Sequence, residues 1–374
     1  MVRVKNIPFN RNIRRYTYMN KALKYGCAAC DTLIRKFTIE NLPPERHFHY
    51  HQGVFLSGMQ KIYKLCGDER YYNYIRDWVN YLIDKDGNID IFEKGMLDDI
   101  QPGILLFDLY KTTGDERYKK ALDMLIDILK GWKKNQYGGF WHKEWHPNQM
   151  WLDSLYMGGP IQAEYGSLFD EYQLVDSAAE QALIMHEHML NKETGLYYHA
   201  WDASFEEDWA DPVTGLSEEC WGRALGWYAV ATLDILEFME DSDPKKEKLI
   251  KIEADLLKSI GKYQDTESGM WYQVVDKGND SDNWLETSCS CLFVNAIKRG
   301  VDMGIIPEEY RSIAEKGFEG VINSLKFDGD DLIVDGVCVG TSVCDYKKYI
   351  SRPTSANDLH GVGAFLLMCA AMAK

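Results

Sequence analysis

The stretch CGDERYYNYIRDWVNYLID, residues 66–84, returns as TGDERYKKALDMLIDILKGW, residues 113–132, with its Gly-Asp-Glu-Arg-Tyr core displaced by 47 positions, from Gly67 to Gly114. In each copy glycine and aspartate stand at the start of a helix, where caps belong. The following residues carry a one-sided apolar stripe. Tyr72, Ile75, Val79 and Leu82 are spaced 3, 4 and 3, and Tyr118, Leu122, Leu125 and Leu129 are spaced 4, 3 and 4. A stripe that recurs at such a period marks a unit that cannot cover its apolar face alone and must stack on its neighbours.

A second element recurs further along. GGFWHKEW (138–145), TGLYYHAWD (194–202) and SGMWYQVVDKG (268–278) each join a turn glycine to paired aromatics, which suits a short strand or loop. Three equivalent loops carrying aromatics, His and Lys could simply pack on one another, or could line a common concave face of the kind that binds carbohydrate. With 23 Tyr, 14 Phe and 11 Trp, the chain has enough aromatics for both. Helical patterns at 171–190, 220–240, 247–263, 288–304, 308–325 and 361–374 fill the intervals. No Gly/Ser linker or composition break divides the 374 residues, so the expectation is one all-α domain, a closed ring of helical hairpins over 1–374, with residues 1–20 an irregular N-terminal extension.

Composition narrows the function. The chain is 45% apolar and 27% charged, an ordered globular balance. Its net charge of −16 argues against nucleic acid or an anionic membrane surface as partner, while leaving room for a small anionic ligand in a locally basic pocket. The basic start MVRVKNIPFNRNIRRY lacks the apolar run of a signal peptide, and GVGAFLLMCAAMA is too short to span a bilayer and reads as a buried terminal helix. Nine cysteines without framework spacing fit reduced thiols, so a cytoplasmic location is expected. Cys27 and Cys30 read as core thiols within a helix.

The candidate chemistry is acidic. QMWLDSLYMGGP (149–160) sets Asp153 among Met150, Trp151, Leu152, Leu155, Tyr156 and Met157, where an unpaired charge is costly. MLDDIQPGILLF places Asp98 and Asp99 ahead of an apolar run, where an aspartate could merely cap a helix. In a ring, Asp98 and Asp153 on successive hairpins would share a cavity, and two nearby carboxylates push one pKa upward, making a proton donor. His47, His49 and His51 alternate as on a strand, yet no carboxylate or Cys lies at ligand spacing, so no metal is expected. WGRALGW brings Trp221, Arg223 and Trp227 together, with Arg223 free by sequence to pair internally or to meet a ligand carboxylate. Glycine-rich phosphate loops and the Gly-x-Ser-x-Gly elbow are missing from the sequence, and no cofactor is expected.

HYHQGVF, LDDIQPG, GGFWHK, QMWLDSLYMGGP, GLYYHAWD, WGRALGWY, WYQVVDKG, NWLETSCS, VGTSV and NDLHGVGAF, in this order over about residues 40–368, resemble the unsaturated rhamnogalacturonyl hydrolases of glycoside hydrolase family 105. The resemblance implies an (α/α)6 barrel of six helical hairpins and a hydrolase of pectin-derived fragments. Such enzymes act on lyase products whose terminal uronic acid has a double bond between carbons 4 and 5, and they hydrate that bond instead of attacking the anomeric carbon. Matched motif by motif, Asp153 falls on the general acid and base and Asp98 on a second carboxylate that would raise the pKa of Asp153. His199 falls near the sugar, and His142 and Lys143 fall on the pocket wall. Trp151, Trp221, Arg223, Trp227, Tyr50 and Met157 fall on the lining, with Arg223 first and Lys143 second for the substrate carboxylate.

The sequence departs from the family pattern at Pro102, which could shift the loop that holds Asp98, and at Cys344, Lys347 and Lys348, in a segment of the kind that contacts an extended substrate and its leaving sugar. Related family 88 enzymes hydrate unsaturated glucuronyl products, which is the alternative substrate. Two other classes are weighed beside it. A sugar epimerase on the same barrel would use His199 with His142 or His360, and a carbohydrate-binding protein could do without Asp153. The expected partner is a small anionic unsaturated oligosaccharide, with neither nucleic acid nor membrane, the chain acting as monomer or weak homo-oligomer.

Overall fold

The repeated core is a helix-to-helix corner. Gly67 and Gly114 each close one helix at φ 67°, a left-handed conformation that glycine adopts without steric cost. Asp68 and Asp115 then cap the next helix by accepting from the N–H of Arg70 and of Arg117. Tyr72 is the exception in the stripe. Tyr71 takes the buried position beside Tyr74, Ile75 and Trp78, because two inward residues per turn cover the face better than one.

The computed structural model describes residues 20–92 and 94–374, so the expected N-terminal extension lies outside the described residues except for Asn20, which caps α1. Thirteen α-helices are present among those residues. Helices α2 (Tyr50–Cys66), α4 (Ile104–Thr113), α6 (Asp153–Leu168), α8 (Gly222–Leu236), α10 (Thr287–Asp302) and α13 (Leu359–Met372) stand in an inner ring that closes where α13 packs on α2. Around them run α1 (Lys21–Lys36), α3 (Glu69–Leu82), α5 (Glu116–Lys130), α7 (Tyr172–Met189), α9 (Pro244–Lys262) and α11 (Arg311–Ser324). This is the expected barrel of six outer-to-inner hairpins. The layers explain the sequence: α3 and α5 bury one face, whereas α10 and α13 are buried almost all round and are rich in small and apolar residues.

Every inner helix starts at the same end of the ring, so the partial positive charges of six N-termini converge there. The aromatic loops lead into that end. Asn135 and Asn191 fold two of them by accepting backbone N–H groups from Tyr137 and Gly139 and from Glu193 and Thr194, and Asp265 does the same for Ser268. Two loops pair directly: β1 (Gln149–Trp151) runs antiparallel to β2 (Ala200–Asp202), with Trp151 opposite Ala200.

Two expectations fail locally. His47, His49 and His51 do not form a strand, because His49 is the N-cap of α2 and His51 lies in its first turn. Neither Asp98 nor Asp99 caps α4, whose N-cap is Gly103, since two 3₁₀ turns at Leu97–Asp99 and Gln101–Gly103 intervene. Pro102 sits in the second of these turns near its start, where no N–H is required.

Candidate active site

Asp153 is the first residue of α6, and the β1–β2 pair decides what it faces. The register that sets Trp151 against Ala200, extended by the Leu152 N–H donating to the His199 carbonyl at 3.0 Å, carries the His199 side chain to Asp153. His199 Nε2 lies 3.1 Å from Asp153 Oδ2, and His199 Nδ1 lies 2.6 Å from the Tyr349 hydroxyl. Trp151 walls the pair, stacked on His142 at 4.2 Å between centroids and edge-on to His199 at 5.6 Å.

Asp98 has a separate set of partners. Lys143 Nζ is 3.2 Å from Asp98 Oδ2, and His142 Nε2 is 4.0 Å from Asp98 Oδ1. His142 Nδ1 contacts the Ser154 hydroxyl at 3.0 Å. His142 and Tyr50 each feel the charge of both Asp98 and Asp153, so the two carboxylates border one space.

The electrostatics reverse one expectation. Burial pushes the Asp153 carboxyl up, but the His199 hydrogen bond and the charges of His199, His142 and Arg223 outweigh it and hold the group below its ordinary value. Asp98 is treated alike by His142, Lys143 and His49 against the same cost of burial. Without ligand both carboxylates are therefore ionised. Apolar neighbours do not keep Asp153 protonated, and the groups that dominate at Asp153 are basic ones, not Asp98. Burial drops His142 and His49 to about 4, leaving both neutral at pH 7.

The lining residues divide. Tyr50 and Trp221 stand with the site: Tyr50 packs between His49 and His51, and Trp221 lies 4.7 Å from His199 and carries Arg223 over its ring at 4.5 Å. Arg223 is not the free cation expected for a substrate carboxylate. It is buried and donates to the Cys338 carbonyl at 2.5 Å and the Val339 carbonyl at 2.9 Å, so part of its fork is committed to the chain. Trp227 is buried against Tyr156 deeper in α8. Met157 lines an interior cavity of about 280 Å³ that extends to the C-terminal ends of the inner helices, among Tyr156, Lys61, Asp108 and Lys111.

Three groups escaped the sequence reading. Tyr349 lies in the short helix α12 (Tyr346–Ile350) and reaches His199 across 150 positions. Glu286, the N-cap of α10, accepts from the Cys338 N–H at 2.9 Å and so anchors the peptide that Arg223 and His360 also hold. Asp358, the N-cap of α13, lies 2.8 Å from His360 Nδ1 and 3.9 Å from His51 Nε2. Those three side chains could each offer a metal one atom, all within 4.8 Å of one another, although Asp358 and His360 already meet directly. Glu286 and Asp358 lie within the quoted motifs NWLETSCS and NDLHGVGAF, which did not disclose their contacts, and Tyr349 lies outside every quoted motif.

Comparison with known proteins gives the family and agrees with the fold. The sequence profile of Glycosyl Hydrolase Family 88 matches residues 27–374. The solved glycoside hydrolase from family 105 of Clostridium acetobutylicum ATCC 824 is 33% identical and superimposes with a TM-score of 0.88, over 93% of this chain and 98% of that one. The unsaturated rhamnogalacturonyl hydrolase YesR of Bacillus subtilis strain 168 is 27% identical over 297 residues, 78% of this chain and 79% of its own length. Protein Atu3128 of Agrobacterium fabrum is 30% identical over 229 residues, 56% of this chain and 96% of that protein. Among the described residues no helix is long and apolar enough to cross a membrane.

Proposed function

The chain belongs with the glycoside hydrolases of families 88 and 105, and from that premise we propose that it removes the terminal 4,5-unsaturated galacturonyl residue from rhamnogalacturonan lyase products, acting as one barrel domain. The observation that carries the reading is the pair of carboxylates, half-buried Asp153 on His199 and buried Asp98 on Lys143, at the end of the ring where the helix N-termini converge. A site positive in its frame and acidic in its chemistry suits a small anionic sugar.

The reaction is hydration of an enol ether. Asp153 gives its proton to carbon 4, the double-bond electrons form the new C–H bond, and positive charge develops at carbon 5 and the ring oxygen. Water adds at carbon 5 and returns a proton to Asp153. The hemiketal opens, and the hemiacetal left at carbon 1 collapses to release the remaining sugar as an alcohol. Asp98 orients the water.

Asp153 must first be protonated, and the substrate itself supplies the means. Its carboxylate offsets the field of Arg223 and Lys143, and the sugar expels water, so both changes raise the pKa of Asp153 toward the working pH. Lys143 is the better placed cation for that carboxylate, since Arg223 has two donors engaged.

The test follows ultraviolet absorbance of the conjugated double bond with purified protein and the unsaturated galacturonyl-rhamnose disaccharide, beside an unsaturated glucuronyl disaccharide. Loss of signal with the first alone supports the proposal. Loss with the second alone moves the substrate to the glucuronyl class, and loss with neither overturns the reaction.

A further inference from the structure

Between α11 and α13 the chain crosses the active-site end of the ring as a strap, residues 337–355, fastened at both ends by pairing of Val337–Cys338 with Thr354–Ser355. It is latched to the site twice: Arg223 holds the carbonyls of Cys338 and Val339, and Tyr349 meets His199. Other bonds fix its far side, with Gln273 and Trp284 donating to the carbonyls of Tyr349 and Ile350. Tyr349 is therefore held from several directions and fully buried.

The hydrogen bonds at Tyr349 run in one sense. The Cys344 amide, 3.4 Å away, can only donate to the phenolic oxygen. Among the described residues His199 Nδ1, 2.6 Å away, is the acceptor within reach of the buried phenolic hydrogen, which makes the phenol the donor and Nδ1 the acceptor. The imidazole hydrogen then sits on Nε2, directed at Asp153 Oδ2. Oδ2 already accepts from that donor, so a proton taken up by Asp153 is favoured on Oδ1, the oxygen without this bond.

We infer that Tyr349 is a positioning residue for the hydration reaction: through the His199 tautomer it places the acid proton of Asp153 on Oδ1, turned away from His199 and available to the substrate. This rests on the proposed reaction for its kinetic meaning, though the tautomer itself does not. Lacking the hydroxyl, His199 is released to the other tautomer, Nε2 becomes an acceptor, and the proton settles on Oδ2 within the Asp153–His199 pair. There the carboxyl holds its proton to higher pH while presenting it to the wrong partner. The other titratable and charged groups facing the pair are His142 from the loop before β1, Arg223 from α8 and Tyr50 from α2, with Cys344 and Glu219 beyond Tyr349, and none of them contacts Nδ1.

Two measurements test this. In Tyr349→Phe, kcat should fall about 10–100-fold, as for other residues that orient a reacting group indirectly, with KM little changed and the alkaline limb of the kcat profile displaced to higher pH. An equal fall with an unmoved profile would mean a merely structural role and overturn the inference, as would unchanged kcat. Should that variant not fold, ¹⁵N-histidine NMR of the unaltered protein decides, with His199 assigned by the resonances missing in His199→Gln. Nδ1 should be bare and Nε2 protonated near pH 7, and the opposite tautomer would refute the inference. That spectrum needs no substrate, so failure of the reaction on either disaccharide is told apart from failure of the Tyr349 role.

Discussion

Asp153 Oδ2 and His199 Nε2 lie 3.1 Å apart although 46 positions separate them, and the contact exists because Trp151 pairs with Ala200 across two three-residue strands. A one-residue slip in that register would turn the neighbouring side chains to opposite faces. The short sheet is thus the alignment device of the acid.

Asp153→Asn keeps the shape and removes the proton. Turnover should drop by about 10³-fold or more, at the upper part of the range for a general acid and base, with the thermal midpoint within a few degrees of the unaltered protein. Activity above a tenth of normal in the absorbance assay would assign the proton to another residue.

Lys143→Met should move the acid limb of the kcat/KM profile upward. Burial opposes ionisation of Asp98, and Lys143 is one of the charges that overcomes it. Loss of the cation favours the neutral carboxyl, so its titration shifts to higher pH. KM should rise as well if Lys143 meets the substrate carboxylate. An acid limb that stays in place would show that Lys143 does not hold Asp98 ionised.

Glu253→Gln should stabilise the fold, increasingly so at higher pH. Glu253 on α9 is fully buried, neither oxygen has a hydrogen-bond partner among the described residues, and burial raises its pKa well above 4.5. A raised carboxyl contributes its full stabilisation below its unfolded pKa and loses that contribution progressively as pH climbs through the folded value. Glutamine does not titrate, so its advantage should be near zero at pH 4 and reach about 2 °C or more in midpoint by pH 8. A constant difference across that range would mean that Glu253 does not titrate with folding.

Asp115→Ala should cost about 1 kcal/mol of stability by removing the cap of α5, with kcat unchanged because the corner lies at the opposite end of the ring from Asp153. Denaturant unfolding read beside the absorbance assay would separate these effects, and a loss of activity without loss of stability would contradict the division of labour between the two ends.

The hairpin repeat was legible because its signals are local: a glycine that can turn left-handed, an aspartate that can cap and a stripe at helical spacing all lie within one turn of each other at Gly67–Tyr71 and Gly114–Tyr118. The carboxylates were legible as charges among apolar residues and through their motifs. The three histidines misled because alternation over five residues suits a strand, while a cap at His49 starts a helix with the same residues. Arg223 misled because its residue type does not disclose which carbonyls will occupy it.

The sequence by itself determined the ring of hairpins, and Asp153 and Asp98 as the residues to test. Only the tertiary structure decided that both carboxylates are ionised at rest, that Arg223 is tied to the strap, and that Tyr349 stands behind His199. Helix periodicity and capping depend on neighbours within a few residues, and any one segment displays them. Protonation and hydrogen-bond direction depend on which distant groups arrive within 3 Å, which is settled when the ring closes and the strap is laid across it.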